Sequence, residues 1–242
     1  MKCIKIPTRV LLPPKDDIFQ VIDSYIPQLE EGDVLLITSK ILAIHQGRCV
    51  KITGSISKDK LIIGEAERYI PRSRVPGKAA LLTLKEHTLI PSAGIDESNG
   101  NGYYILWPKH TNRLLKIIAT YLKKKCNITN LGVIATDSHT TPLRYGVLGI
   151  SIGFFGLEPL YDYRGKPDIF GRELRHTKTN IVDALAAMGV LLMGEGDERV
   201  PMLIVRGATF VKFTNRNNYK QLVIPPEQDI YYPLLKVFRN KV

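Results

Sequence analysis

The sequence predicts an α+β fold, and three observations carry that expectation. Residues 133–135 (Val-Ile-Ala) form a short apolar run that suits a strand buried on both faces. Two longer stretches repeat apolar residues at helical spacing: Leu114, Leu115, Ile118, Tyr121 and Leu122 within 111–125, and Ile181, Ala184, Leu185, Met188, Leu191 and Leu192 within 180–193. Residues 81–84 and 87–91 read as short strands on either side of Lys85 and Glu86, a hairpin. With 242 residues, 44% of them hydrophobic, the chain can bury a sizeable core as one large domain or two small intertwined ones.

Taken in order, residues 11–17 (LLPPKDD) break regular structure with two prolines, and Asp16 or Asp17 then caps a helix reaching about residue 26. Its inner face is Ile18, Val21, Ile22 and Tyr25. Gly32 and Asp33 turn into a strand over 34–38, followed by Ser39 and Lys40. Residues 49–80 say least. They suggest a helix over 64–70 and a basic loop (Arg72, Ser73, Arg74, Lys78) that is either solvated surface or a dock for an acidic substrate.

The hairpin leads into 92–99 (SAGIDESN), where Gly94 tolerates unusual backbone angles and Asp96 and Asn99 sit three apart. Alone, that spacing describes an Asx-type turn. Thr111 is expected to cap the helix over 111–125, whose Lys123, Lys124 and Lys125 complement the negative end of the helix dipole. The run 133–135 delivers Asp137 to the end of a buried strand and into a loop rich in Gly, Thr, Pro and Arg. A carboxylate there is held rigidly and meets a metal or phosphate at little ordering cost; alternatively it caps the following turn. The helix over 180–193 should end at Gly194, before an acidic loop of Glu195, Gly196, Asp197 and Glu198. Residues 203–205 read as a core strand and 210–213 as another, and 230–238 can dock a last helix or strand. No linker separates the two ends of the chain, which implies one interwoven unit over 1–242.

No stretch approaches the roughly 18 consecutive apolar residues of a membrane span, and the N-terminus (MKCIKIPTRV) lacks a signal-peptide core, so a cytoplasmic location is expected. Cys3, Cys49 and Cys126 are widely spaced, which argues for reduced thiols over a disulfide framework or zinc site. The formal charge of +11 admits a nucleic-acid-binding module, but no RNA-recognition motif, zinc finger or aromatic-basic repeat accompanies it. A positive field equally serves an enzyme that draws in polyanionic small molecules.

Three acidic residues from distant points, Asp96, Asp137 and Glu195, adjoin Gly-rich backbone and the hydroxyls of Ser39, Thr136 and Ser138. Hard oxygen donors of this kind suit Mg2+ or Mn2+, whose shell substrate phosphates and water commonly complete. No GxxxxGK[ST] run is present, so a nucleotide pocket here would be of a non-standard kind.

Asp137, 144–153, 162–165 and 168–174, together with 92–99, 192–196 (LMGEG) and 200–207 (VPMLIVRG), resemble the motifs of the coenzyme F420-0:L-glutamate ligases, in that family's order. The resemblance implies mixed, largely antiparallel sheets with packed helices in two interwoven subdomains, and a homodimer. It implies GTP- or ATP-dependent formation of an amide between a carboxylate acceptor and L-glutamate through an acyl phosphate. By position it makes Asp96, Asp137, Glu195 and Ser138 metal ligands, with Asp96, Asp137 and Arg144 in the catalytic machinery. It places Leu11, Leu12, Pro13, Pro14, Ser39, Lys40, Asn99, Gly194, Gly196 and Asp197 against nucleotide, and offers Arg164, Lys166 and Arg172 to phosphate or acidic substrate. Those cations have structural alternatives in Asp162, Asp168 and Glu173.

The chain also departs from the family pattern. Ile44 stands where a Lys is usual, with His45 as a candidate substitute, and His139, Thr140, Thr141 and Pro142 replace a short run ending Gly-Arg. That loop follows the proposed metal ligand and is expected to touch the acceptor. Its pattern resembles bacterial relatives read as folate γ-glutamyl ligases, so the implied acceptor is coenzyme F420-0 or a folate. A family member that binds nucleotide without turnover is a third reading.

Overall fold

The computed structural model describes residues 1–240. The chain opens with strand β1 (Lys2–Ile6), which the sequence reading did not anticipate. Asp17 caps helix α1 (Ile18–Tyr25) by accepting from the Phe19 amide, and Ile18, Val21 and Ile22 point inward. Strand β2 (Asp33–Thr38) runs directly into helix α2 (Ser39–His45), and β3 (Cys49–Lys51) follows. Helix α3 (Lys58–Glu65) begins earlier than expected because Ser57 caps it, and residues 68–70 are strand β4 (Arg68–Ile70), not helix. Arg72 of the basic loop is committed to Asp59, at 2.8 and 3.1 Å.

The hairpin is present as β5 (Leu82–Lys85) and β6 (Thr88–Pro91), followed by β7 (Tyr103–Ile105). Helix α4 (Thr111–Cys126) has His110 at its cap position, without a side-chain capping bond. Thr111 instead turns its hydroxyl back to the Pro108 carbonyl, 3.3 Å away, so the expected Thr111 cap is not formed. Strand β8 (Leu131–Thr140) is much longer than the apolar run 133–135 and pairs with β9 (Val147–Phe155). Next come β10 (Leu160–Asp162), β11 (Lys178–Asn180), helix α5 (Ile181–Met193) and β12 (Met202–Arg206). Residues 210–213 make no strand; Phe213 forms a single bridge to Leu157. The tail holds two short 3-10 turns (Tyr219–Gln221 and Pro226–Gln228), one α-helical turn, α6 (Tyr232–Leu235), and a two-residue strand β13 (Arg239–Asn240).

Five strands form the central sheet in the order β1-β12-β2-β8-β9, with β2 and β8 parallel and the other pairs antiparallel. Strand alternation divides its side chains between two cores. Leu35, Ile37, Val133, Ala135 and Ile204 pack under α1, α2 and α4, whereas Val34, Leu36, Ile134, Leu203 and Val205 pack under α5. All ten are fully buried. Covering both faces explains the near-continuous apolar runs of these strands, and each such side chain contributes roughly 1.5–3 kcal/mol of burial.

Between α2 and α4 the chain leaves this sheet and builds β4, β5 and β6 of a second sheet, to which β13 adds from the C-terminal tail as the fourth strand (β13-β4-β5-β6), and the β3-β7 pair, around Ile62, Leu81, Tyr104 and Leu106. Ile90, Ile105 and Trp107 join the larger core, which fixes the 92–99 segment against the central sheet. Asp33, wholly buried, receives the fork of Arg206 at 2.9 and 2.8 Å, tying β2 to β12. No helix among the described residues is long and apolar enough to cross a membrane, and Cys3, Cys49 and Cys126 are all free thiols.

Candidate active site

Strand β2 ends at Thr38, opposite Thr136, while β8 continues for four more residues. Asp137 and Ser138 therefore lose their neighbour on one side and face a crevice. In open sheets ligands favour the space beyond the carboxyl ends of parallel strands. The β8–β9 register also shifts between Ala135 and Thr136, a bulge at the point where apolar residues give way to polar ones. Asp137 thus lies inside a strand at an irregularity, and neither ends a strand nor caps a turn.

The crevice opens into a cavity of about 360 Å³. Its walls come from four places: residues 8–11 after β1, the β2–α2 junction with Ser39 and Lys40, Asp96 and Asn99, and the end of α5 with its loop over 194–201. Thr136, Asp137 and Ser138 form the floor. The loop is anchored at both sides, because Thr38 N–H donates to Pro201 O at 3.0 Å and Thr8 N–H to Arg199 O at 2.9 Å. Asn99 Nδ2 donates to Gly196 O at 2.9 Å, so the 92–99 segment and the loop meet across the cavity.

The 92–99 segment owes its path to a tight contact. Gly94 has φ +67°, and a Cβ there would stand 2.2 Å from Trp107 Cε3 and 3.5 Å from Asp137 Oδ2. A two-way backbone bridge between Asp96 and Ile105 (3.0 and 2.8 Å) then sets the Asp96 main chain. The Asx-type turn exists as well: the Asp96 carboxylate accepts from Ser98 N–H at 2.8 Å and from the Ser98 hydroxyl at 2.9 and 2.8 Å. Lys40 Nζ lies 2.6 Å from Asp96 Oδ2.

The three carboxyls differ electrostatically. Burial pushes Asp137 up to about 7, against the lowering effect of hydrogen bonds from the Ser138 amide and the Ser39 hydroxyl. Burial also opposes ionisation of Asp96, but the Lys40 ammonium and Ser98 outweigh it and hold that carboxyl below its usual range. Glu195 is raised by burial, in part offset by Ser138, whose hydroxyl stands 3.4 Å from Glu195 Oε2.

All four proposed metal-binding residues, Asp96, Asp137, Ser138 and Glu195, line this one cavity. Among the described residues no three His, Cys, Asp or Glu side chains stand close enough to hold a metal ion between them. An oxygen-only donor set of this spacing fits a hard cation whose shell phosphate and water complete, not a closed protein cage.

Among the proposed nucleotide-binding residues, Leu11, Ser39, Lys40, Asn99, Gly194, Gly196 and Asp197 line the cavity, whereas Leu12, Pro13 and Pro14 do not. The N-terminal wall is shifted back to Thr8, Arg9, Val10 and Leu11. The expected cations are also elsewhere. Arg144 sits on the exposed β8–β9 turn with Nη1 on its neighbour's carbonyl. Arg164 pairs with Asp162 at 2.6 Å, Lys166 donates to the Tyr161 hydroxyl at 2.8 Å, and the Arg172 amide donates to Asp168. The cations that do line the cavity are Lys40, Arg9 and Arg199. Arg9 was missed because β1, which positions residues 8–11, is short and weakly patterned, and Arg199 because it lies in the irregular loop between α5 and β12.

Both departures from the family pattern have definite positions. Ile44 lines the cavity, so an apolar side chain stands where a Lys is usual. His45 is no substitute: its Nδ1 accepts from the Ile18 amide at 3.3 Å and its ring packs edge-on against Phe19. His139 and Thr140 are not loop but the end of β8, and His139 faces the Leu89 carbonyl and Asp183, away from the cavity lining.

Comparison with known proteins agrees with this layout. The family model described as F420-0:Gamma-glutamyl ligase matches residues 6–207, which hold every wall of the cavity. The coenzyme F420:L-glutamate ligase of Methanocaldococcus jannaschii is 31% identical over 220 residues, covering 84% of this chain and 86% of that protein. The enzyme of the same name from Methanopyrus kandleri is 30% identical over 245 residues, covering 93% of this chain and 95% of its own length. That from Methanothermobacter thermautotrophicus is 29% identical over 237 residues, 89% and 92%. With a match that spans four of the five central strands and all of the cavity, this chain belongs to the F420-0:γ-glutamyl ligase family.

Proposed function

We propose that this family member is a nucleotide- and divalent-metal-dependent ligase that joins L-glutamate to a carboxylate acceptor, coenzyme F420-0 or a folate. The observation that carries the reading is the convergence of Asp96, Asp137 and Glu195 with Lys40 on one cavity, beside the Gly194–Gly196 loop. The γ-phosphoryl group of GTP or ATP passes to the acceptor carboxylate and the nucleoside diphosphate leaves. The amine of L-glutamate then displaces phosphate from the acyl phosphate, forming the amide and releasing inorganic phosphate and a proton.

The chain's own contribution is position and charge. Lys40 and Arg199 supply positive charge to the phosphates, beside Arg9, whose guanidinium is paired with Asp16, and Asn99 holds the 194–197 loop in place over them. Asp96, Asp137, Glu195 and the Ser138 hydroxyl would hold Mg2+ or Mn2+. That ion would neutralise charge on the transferring phosphoryl group. Ile44 narrows the cation supply on one wall, which supports a nucleotide or acceptor preference of its own. A homodimer belongs to this reading, supported by Leu143 and Tyr145 on the β8–β9 turn, 96% and 108% exposed in the single chain.

The test is to incubate the protein with L-glutamate, Mn2+ or Mg2+, and GTP or ATP, offering each acceptor separately, and to look by mass spectrometry for one added glutamyl unit. Product from the deazaflavin alone rejects the folate acceptor. A nucleotide-dependent rise in melting temperature without product makes this a binding protein that does not catalyse. No shift with any purine nucleotide, together with salt-sensitive binding to RNA or DNA, rejects the ligase in favour of a nucleic-acid-binding module.

A further inference from the structure

We infer that Lys40 is a resident counter-cation that keeps Asp96 closed to divalent metal until a nucleotide phosphate draws its ammonium away, which makes metal and nucleotide bind together. The inference rests on the nucleotide reading of the same cavity. Lys40 Nζ is not loosely paired. It stands 2.6 Å from Asp96 Oδ2, donates to the Ser98 carbonyl at 2.8 Å and lies 3.3 Å from the Ser98 hydroxyl. Ser98 in turn engages both Asp96 oxygens through its amide and hydroxyl. Both Asp96 oxygens are thus already engaged, Oδ2 by the ammonium and Oδ1 by the Ser98 amide, with the Ser98 hydroxyl between them.

A divalent ion sits about 2.0–2.1 Å from its oxygen ligands. It cannot share the Asp96 carboxylate with an ammonium already in contact with it, both for lack of room and because like charges repel. Lys40 is in the first turn of α2, so its main chain is fixed and only its flexible side chain has to move. Its side chain is one-quarter exposed and lines the cavity, so phosphate arriving there offers the ammonium a second anionic partner without a change of fold. When Lys40 turns to phosphate, Asp96 is released to the metal that the same phosphates coordinate. By linkage each ligand must then raise the affinity for the other.

The test reads metal binding directly, by loss of the free Mn2+ EPR signal, without turnover. In wild-type protein Mn2+ alone should bind weakly, and a non-hydrolysable GTP or ATP analogue should tighten it by about tenfold or more. In Lys40→Met, which keeps the chain length and removes the charge, Mn2+ alone should bind about tenfold tighter than in wild type, and the analogue should tighten it by a smaller factor than in wild type, since only direct phosphate coordination is left to add. Lys40→Arg should remain weak, because it keeps the cation. A Lys40→Met protein that binds Mn2+ no more tightly than wild type overturns the inference. A lowered melting temperature without any gain in Mn2+ affinity would mark the pair as a structural tie alone, and overturns it equally. The metal-alone comparison involves no nucleotide. If the analogue fails to bind either protein, the nucleotide reading falls while the behaviour of Lys40 towards metal is still decided.

Discussion

Replacing Asp137 by Asn should make the metal-free protein more stable at neutral pH, by an amount that grows with pH. The carboxyl is lifted from an ordinary 3.8 to about 7 by burial. Between those two values the folded chain holds a proton that the unfolded chain has already released, so folding stability falls as pH rises through the window. At about 1.4 kcal/mol per pH unit, the cost of ionising Asp137 reaches roughly 4 kcal/mol at and above pH 7, as an upper bound. Asn has the shape of the neutral acid and never ionises. The two proteins should therefore have similar urea midpoints near pH 4, and the variant should be progressively more stable up to about pH 7, with the gap constant above it. Glu195, Asp183 and Glu86 are also raised by burial, but they are common to both proteins and cancel in the difference. The assay is urea denaturation of both proteins in chelator at intervals from pH 4 to 8. A stability difference that does not change with pH, or one in which wild type gains as pH rises, refutes the reasoning.

Two further perturbations test the scaffold. Gly94→Ala forces a Cβ to within 2.2 Å of Trp107 Cε3 at φ +67°, and should lower stability by about 2–4 kcal/mol, as overpacking and left-handed strain combine; thermal melting would show it, and an unchanged midpoint would contradict the contact. Arg206→Met leaves the fully buried Asp33 without its fork. A loss of roughly 3–5 kcal/mol is expected by urea unfolding at pH 7, with much of it recovered in the double variant Asp33→Asn/Arg206→Met.

The sequence by itself determined the elements whose reasons are local. Asp17 and the Ile18, Val21, Ile22 spacing specify α1, and the apolar period ending at Gly194 specifies α5. The near-continuous, doubly buried apolar runs specify β2 and β12. The same holds for Asp96, Asp137 and Glu195, legible through ordered motifs and found on one cavity. Tertiary structure decided whatever depends on pairing between distant residues. Residues 68–70 are strand because β5 and β13 are there to pair with them, and β8 extends through Asp137 to Thr140 because β9 returns alongside. The cations show the limit most clearly. Arg144, Arg164, Lys166 and Arg172 looked as suited to phosphate as Lys40, Arg9 and Arg199, since any Lys or Arg is compatible with a solvated loop. Only strand ends and register, set by contacts far apart in the chain, place the second group on the cavity wall, Arg9 there still paired with Asp16, and leave the first away from it beside its own acidic and aromatic neighbours.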